Sequence, residues 1–202
     1  MKLIWYGHSC FLLETKEGSA VFDPYAPGSV PGWSLPPLTA DCALCSHGHS
    51  DHNYAEGVTL TGKTPVFRVE TLDTWHDGKK GALRGMNTIH VVEAEGRRVA
   101  HLGDLGHELT AEMLAALGKI DVLMIPVGGF FTIDADTANR VAAAIGAGVV
   151  IPMHYRGAGF GYAKIGPVEP FLAPRGDVVR LETNVIDLDA LPTPVTAVPA
   201  RP

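Results

Sequence analysis

Short apolar runs separated by turn residues dominate the first half of the chain. Lys2–Tyr6, Cys10–Glu14 and Ser19–Asp23 are apolar or alternating and are interrupted by Gly7 and Lys16–Gly18, a pattern that predicts three strands. Pro24–Leu38 holds five prolines and two glycines and predicts a loop. Asp41–Ser46 is a short buried run that stops at a histidine cluster. Pro65–Thr71, Met86–Val92 and Arg97–Leu102 predict further strands.

The period changes in the second half. Met113, Leu114 and Leu117 share one face of a helix over Thr110–Leu117, capped by Thr110 and stopped by Gly118. Ala138, Val141, Ala142 and Ile145 do the same over Asp134–Ile145, with Gly146 as the stop. Asp121–Pro126 and Val149–Pro152 read as buried strands, and Val178–Leu181 with Asn184–Leu188 as a last hairpin. Residues 191–202, made of Pro, Ala, Val and Thr with few others, predict a loose tail behind a single domain over 1–190. Strand meanders followed by strand–helix–strand units predict an α/β sandwich of sheets covered by helices.

Composition narrows the setting. The 202 residues carry 16 Lys and Arg against 22 Asp and Glu, a formal charge of −6. A mildly acidic surface gives no broad attraction for phosphate backbones, so no long nucleic-acid partner is expected. Three cysteines fit a reduced compartment better than a disulfide framework. The longest nearly apolar stretch, Val141–Met153, is too short for the roughly 20 residues of a membrane span. The N-terminus is a poor signal peptide, so a cytoplasmic protein with no membrane partner is the expectation.

The densest chemistry is Ser46-His47-Gly48-His49-Ser50-Asp51-His52. Positions two apart in an extended loop point the same way, so His47 and His49 can share one ion, while Asp51 and His52 lie beyond a turn and serve a second. Imidazole and carboxylate ligands without thiolate suit zinc, manganese or iron.

His-x-His-x-Asp-His after a strand resembles the metallo-β-lactamase superfamily. The resemblance extends from about Met1 to Tyr155. Gly7-His8-Ser9-Cys10-Phe11, Phe22-Asp23-Pro24, and Trp75-His76-Asp77 with Arg84-Gly85-x-Asn87 are similar to its compact branch, which includes ascorbate-6-phosphate lactonases. His101-Leu102-Gly103-Asp104-Leu105-Gly106-His107, Pro126-Val127-Gly128-Gly129 and Pro152-Met153-His154-Tyr155 match its later motifs. Lactamase and thiolesterase members place their third histidine in Gly-His-Thr-x-Gly; Trp75-His76-Asp77-Gly78 replaces it here and points away from those activities.

The resemblance implies a four-layer αβ/βα sandwich of two mixed β-sheets flanked by helices. It implies two divalent cations, zinc first with manganese or iron as alternatives. His47, His49 and His76 would hold one, Asp51, His52 and His154 the other, and Asp104 would bridge. The implied activity is hydrolysis of a small ester, lactone or phosphodiester by a hydroxide shared between the ions, with Asp51 orienting it. A phosphodiesterase or nuclease of the same superfamily is the alternative activity. A metal-binding protein that kept the fold without turnover is the alternative class, and a flavo-diiron redox role would want a carboxylate in place of one histidine.

Several residues carry two readings. His8 is either a structural histidine of a strand turn or, by the resemblance, a group beside the metal centre or toward substrate. His107 is either a proton donor to a leaving group or a surface histidine before a helix. His90 and His101 read as structural. Arg84 and Lys164 are the basic residues placed to meet an anionic small-molecule substrate, and both are equally ordinary surface charges. Asp77, Glu56 and Asp23 are candidate acceptors for the far nitrogens of the ligand histidines. Tyr155 is a substrate contact or a packed ring, Tyr25 and Trp33 are candidate pocket walls, and Gly128-Gly129-Phe130-Phe131 is a tight turn at the site or a plain connection. Cys42 and Cys45 have C-x-x-C spacing but read as small apolar residues of a strand.

Overall fold

A computed structural model describes residues 1–202. The chain opens with a meander, β1 (Lys2–Trp5), β2 (Phe11–Thr15) and β3 (Gly18–Phe22), followed by short strands β4 (Leu38–Ala40), β5 (Cys42–Leu44) and β6 (Val58–Leu60). Next come β7 (Arg68–Trp75), β8 (Met86–Ala94) and β9 (Arg97–His101), then α1 (Ala111–Leu117), β10 (Val122–Pro126), α2 (Ala135–Ile145) and β11 (Val149–Met153). The chain closes with α3 (Glu169–Leu172), β12 (Val178–Arg180), β13 (Val185–Asp187) and β14 (Val195–Val198).

Two sheets form the body. One has the order β13-β1-β2-β3-β5, the other β12-β14-β11-β10-β9-β8-β7. The apolar stripe predicted for α2 is largely buried, whereas that of α1 fully buries only Leu117 and leaves Met113 and Leu114 half-buried. Ala138, Val141 and Ala142 of α2 are buried, and α2 packs on β10. Thr110 and Asp134 cap their helices by accepting from Met113 N and Thr137 N. β10 and β11 are buried at every residue, as parallel strands with both faces covered require. The main core lies between the sheets and under α2, with Trp5, Phe11, Phe22, Leu123, Ile151 and Phe171 fully buried. The outer cover of the five-stranded sheet is not helical. No α-helix precedes Ala111; Tyr25, Val30, Leu38, Ala40 and Val58 from the proline-rich segment and the β4–β6 pair pack there against Cys10, Leu12 and Val21. No helix is long and apolar enough to cross a membrane.

Two expectations are corrected. Residues 191–202 are not a loose tail: Val195–Val198 is an inner strand, buried throughout, paired in parallel with β11 on one side and β12 on the other. The predicted last hairpin does not form either. β12 joins the seven-stranded sheet through β14, whereas β13 crosses to pair antiparallel with β1.

The registers fix where chemistry can gather. β1, β3 and β5 run parallel to one another, β1 and β3 through their shared antiparallel neighbour β2. β7 and β9 are likewise parallel through β8, and β9, β10 and β11 are parallel neighbours. The C-terminal ends of each set therefore share one sheet edge, which is where layered α/β folds collect ligands.

Candidate metal centre

Each sequence-predicted ligand follows the C-terminal end of one of these strands. His47, His49, Asp51 and His52 follow β5, His76 follows β7, Asp104 follows β9 and His154 follows β11. Local backbone explains the placement. A turn closed by His52 N donating to His49 O reverses the chain between His49 and His52 and separates the two halves of the motif. Gly106 lets its strand end lie against His76 and Asp77, since a Cβ there would come within 2.2 Å of Asp77 N. Gly128 does the same beside His154, where a Cβ would stand 2.2 Å from the His154 carbonyl oxygen. Asn87 holds the Asp104 turn, accepting from Asp104 N at 2.8 Å and donating to Leu102 O at 3.0 Å.

The seven predicted ligands converge. His47, His49 and His76 form one group, and Asp51, His52 and His154 form another; within each the ligand atoms lie within 4.8 Å of one another. Asp104 Oδ2 lies between them, 3.3 Å from Nε2 of His52, His76 and His154 and 3.9 Å from Nε2 of His47. His8 joins the second group, its Nε2 3.4 Å from Asp51 Oδ2.

The far sides of two rings are held by one carboxylate. Asp23 Oδ2 accepts from His52 Nδ1 at 2.8 Å and from Ser46 Oγ at 2.7 Å, and Asp23 Oδ1 accepts from Ser46 N at 2.7 Å. Since the Ser46 hydroxyl donates to Asp23, its oxygen accepts from His47 Nδ1 at 2.9 Å. Both rings therefore carry their proton on Nδ1 and present Nε2 to the centre. Of the three acceptors suggested by sequence, Asp23 does this work. Asp77 instead accepts from four backbone N–H groups, those of Lys79, Gly81, Leu83 and Arg84, and shapes the loop after His76. Glu56 is exposed.

Burial and charge set the protonation. Burial lowers His8 to about 3 and His47 to about 4, leaving both rings neutral. Burial opposes ionisation of Asp104, but His154 and His52 outweigh it and hold the carboxyl well below its usual range. Burial likewise works against the His52 cation, and Asp104 and Asp23 overcome it, raising that ring.

The donor set passes a test of fit for cations. His47 Nε2, His52 Nε2, His76 Nδ1, both ring nitrogens of His154 and Asp104 Oδ1 are buried with no hydrogen-bond partner. Polar atoms are rarely left so in a folded interior, because each costs about 1–3 kcal/mol. Here they belong to side chains facing a common centre, and neutral imidazoles with ionised carboxylates are the ligands of zinc, manganese and iron.

The ligands open into a pocket of ≈ 340 Å³ lined by His49, Asp51, His76, Asp104 and His154 together with Arg84, Phe131 and Tyr162. Four larger clefts exist, but no histidine lines any of them. Arg84 donates through Nη2 to Phe130 O, lies 5.7 Å from the Phe131 ring and has no carboxylate within 4.0 Å. Lys164 is exposed, 4.9 Å above the Phe130 ring, and does not line this pocket.

His107 does not reach the centre, which corrects its reading as a proton donor. Its Nε2 accepts from Trp75 N at 3.2 Å and its Nδ1 donates to Glu108 O at 2.7 Å. Trp75 is on the edge strand β7, whose outward N–H has no strand partner, so the ring serves as a main-chain brace. His101 is structural as expected, donating to Ser9 O and accepting from Gly103 N. His90 is buried in β8, opposite His101. Tyr155 stacks on Trp5 at 5.6 Å, Tyr25 donates to Tyr6 O, and Trp33 packs over Gly7; none lines the pocket. Cys42 and Cys45 are half-buried free thiols, Cys42 within β5 and Cys45 just past its end.

Two contributors escaped the sequence. Ser46 is a small polar residue beside four conspicuous ligands, and its role shows only in its contacts with Asp23 and His47. Tyr162 sits in a glycine-rich segment with no motif; its hydroxyl contacts Ser29 O at 2.7 Å and Asp51 Oδ2 at 3.1 Å.

Comparison with known proteins places this geometry in context. Residues 2–154 match the family model described as Beta-lactamase superfamily domain. The chain is similar to a UPF0173 metal-dependent hydrolase of Alkaliphilus metalliredigens, 32% identical over 77% of this chain and 85% of the relative. A protein of the same description from Methanoregula boonei is 31% identical over 77% and 82%. Among solved structures, a candidate zinc-dependent hydrolase of the metallo-β-lactamase superfamily from Thermotoga maritima superposes with a TM-score of 0.76 at 34% identity, covering 98% of this chain and 96% of that one.

Proposed function

The chain belongs to the β-lactamase superfamily domain family, and from that premise we propose that it is a metal-dependent hydrolase of a small anionic ester, lactone or phosphodiester, working with two divalent cations, zinc first. The observation that carries the reading is the convergence of six imidazole and carboxylate side chains around Asp104, with unpartnered buried nitrogens on His47, His52, His76 and His154, at a pocket sized for a small molecule.

His47, His49 and His76 would hold one cation, Asp51, His52 and His154 the other, and Asp104 would serve both. Cations held there supply Lewis acidity, activating water as a nucleophile and offsetting charge that develops on the substrate oxygen. The chain's own groups supply the rest. Asp23 fixes the proton on Nδ1 of His52 directly and of His47 through Ser46. Asp51 stays ionised: burial opposes this, but His8 and His52 outweigh it, so its oxygens accept hydrogen bonds from a nucleophile or substrate. Burial and Asp51 raise the Tyr162 phenol, so it stays protonated, with its single proton shared between Ser29 O at 2.7 Å and Asp51 Oδ2 at 3.1 Å. Arg84, pinned through Phe130 O and without a counter-charge, offers Nε and Nη1 to an anionic group of the substrate.

The test is a turnover screen of zinc- and manganese-loaded protein against matched neutral and carboxylate-bearing esters, lactones and phosphodiesters, with elemental analysis of the same samples. Two metals per chain and preference for anionic substrates support the reading. Zero metal after loading, or metal without hydrolysis of any class, overturns it. Arg84→Ala should raise KM for the anionic member of a pair and leave the neutral one unchanged.

A further inference from the structure

We propose that His8 is a protein ligand of the second cation, completing a His8–Asp51–His52–His154 set; the proposal rests on the metal-binding reading above.

His8 comes from the turn after β1, far from the histidine motif in sequence, yet it is 1% exposed and faces the centre. Its main chain is fixed from two sides. His8 O accepts from Trp5 Nε1 at 3.1 Å and from His154 N at 3.3 Å. The second bond joins His8 to one of the predicted ligands, and the two rings face each other with centroids 4.1 Å apart. The His52 ring is 5.1 Å away on another side.

The ring makes no hydrogen bond of its own. Both nitrogens are buried and unpartnered, and Nε2 stands 3.4 Å from Asp51 Oδ2 without bonding to it. Of the histidines outside the ligand set, His101 and His107 each engage both nitrogens. His90 leaves its Nδ1 buried without a partner, but it lies within β8, whereas the His8 ring stands among Asp51, His52 and His154. His8 also adopts φ 51°, a left-handed backbone unusual outside glycine. His154 shares it at φ 53°. A buried imidazole with two unsatisfied nitrogens on a strained backbone brings the isolated fold nothing in hydrogen bonding. Such features persist where the surroundings impose them for a function. The function that uses an unpartnered ring nitrogen among Asp51, His52 and His154 is coordination.

The competing role is positional: His8 would only shape the space around Asp51. Metal affinity alone does not separate the two, because groups behind the ligands also change it by about 10- to 100-fold. The first measurement therefore uses the wild-type chain, labelled with nitrogen-15 at histidine and loaded with NMR-active cadmium. Cadmium–nitrogen coupling is expected on six of the nine histidines if His8 ligates. Five coupled rings, those of the motif set without His8, overturn the proposal while leaving the hydrolase reading intact. Fewer, with no second ion taken up, overturn both. The second measurement compares zinc titrations and thermal melts of wild type and His8→Ala. The variant is expected to fill the first site normally and the second at least tenfold more weakly. Its metal-free melting temperature should stay close to wild type while the increment on zinc loading shrinks. Unchanged second-site affinity with a lowered metal-free melting temperature is the structural outcome and overturns the proposal.

Discussion

Asp23→Asn replaces one carboxylate oxygen by an NH2 group and tests whether a proton position controls the centre. In the wild type, Asp23 Oδ2 accepts from His52 Nδ1 and Ser46 Oγ, while Oδ1 accepts from Ser46 N. Asparagine keeps one acceptor, which the Ser46 N–H retains, and turns an NH2 toward His52. His52 must then accept on Nδ1, which moves its proton to Nε2, the atom that faces Asp104 at 3.3 Å. An Nε2–H cannot ligate, so the second cation site is disabled without removing any ligand. Displacing Ser46 Oγ also loosens His47, so the first site weakens too. Changes to partners behind a ligand histidine cost about 10- to 100-fold in affinity, about 1.4–2.7 kcal/mol. One charge-assisted hydrogen bond lost in a fully buried setting costs the metal-free fold about 1.5–3 kcal/mol more. Competition titration with a chromophoric zinc chelator reads the first quantity, and urea unfolding of the stripped protein reads the second. Zinc affinity equal to wild type at both sites, with stability reduced, would refute the tautomer argument and reduce Asp23 to a structural anchor.

Three further outcomes follow from the same geometry. Asp104→Ala removes the carboxylate shared by four imidazoles, so elemental analysis should drop toward one metal per chain and hydrolysis should nearly vanish, with circular dichroism close to wild type. His107→Ala should leave zinc affinity unchanged and lower stability by about 1–3 kcal/mol for its two main-chain hydrogen bonds, as read by urea unfolding; a loss of metal would show that the ring reaches the centre after all. A chain truncated after Leu191 should fail to fold, since it loses the buried strand between β11 and β12, and a soluble, cooperatively melting product would contradict that role for β14.

What the sequence determined by itself was whatever a few neighbouring residues settle among themselves. Glycine and proline punctuation, alternation and helical spacing located the strands of the meander and the two longer helices, because those patterns are set by local backbone and by one buried face. The His47–His52 segment was legible for the same reason: four ligands on one loop need only a turn to separate them. The tertiary structure decided what depends on distant partners. Val195–Val198 has three β-branched residues, but a four-residue run between two prolines in a Pro- and Ala-rich end is a weak strand signal; two parallel neighbours supply its hydrogen bonds and its burial. Val178–Arg180 and Val185–Asp187 are close enough in sequence to suggest a hairpin, yet β14 takes one and β1 the other. His107 lies three residues after Asp104 in sequence, but the unpaired edge of β7 sets the direction of its ring. Tyr162 and Ser46 acquire their roles only when loops from separate strands meet. The candidate centre as a whole belongs to this second kind. Its members are brought together because parallel registers place the C-terminal ends of β1, β3 and β5 on one edge and those of β7, β9 and β11 on another, and burying the core between the sheets brings those two edges face to face.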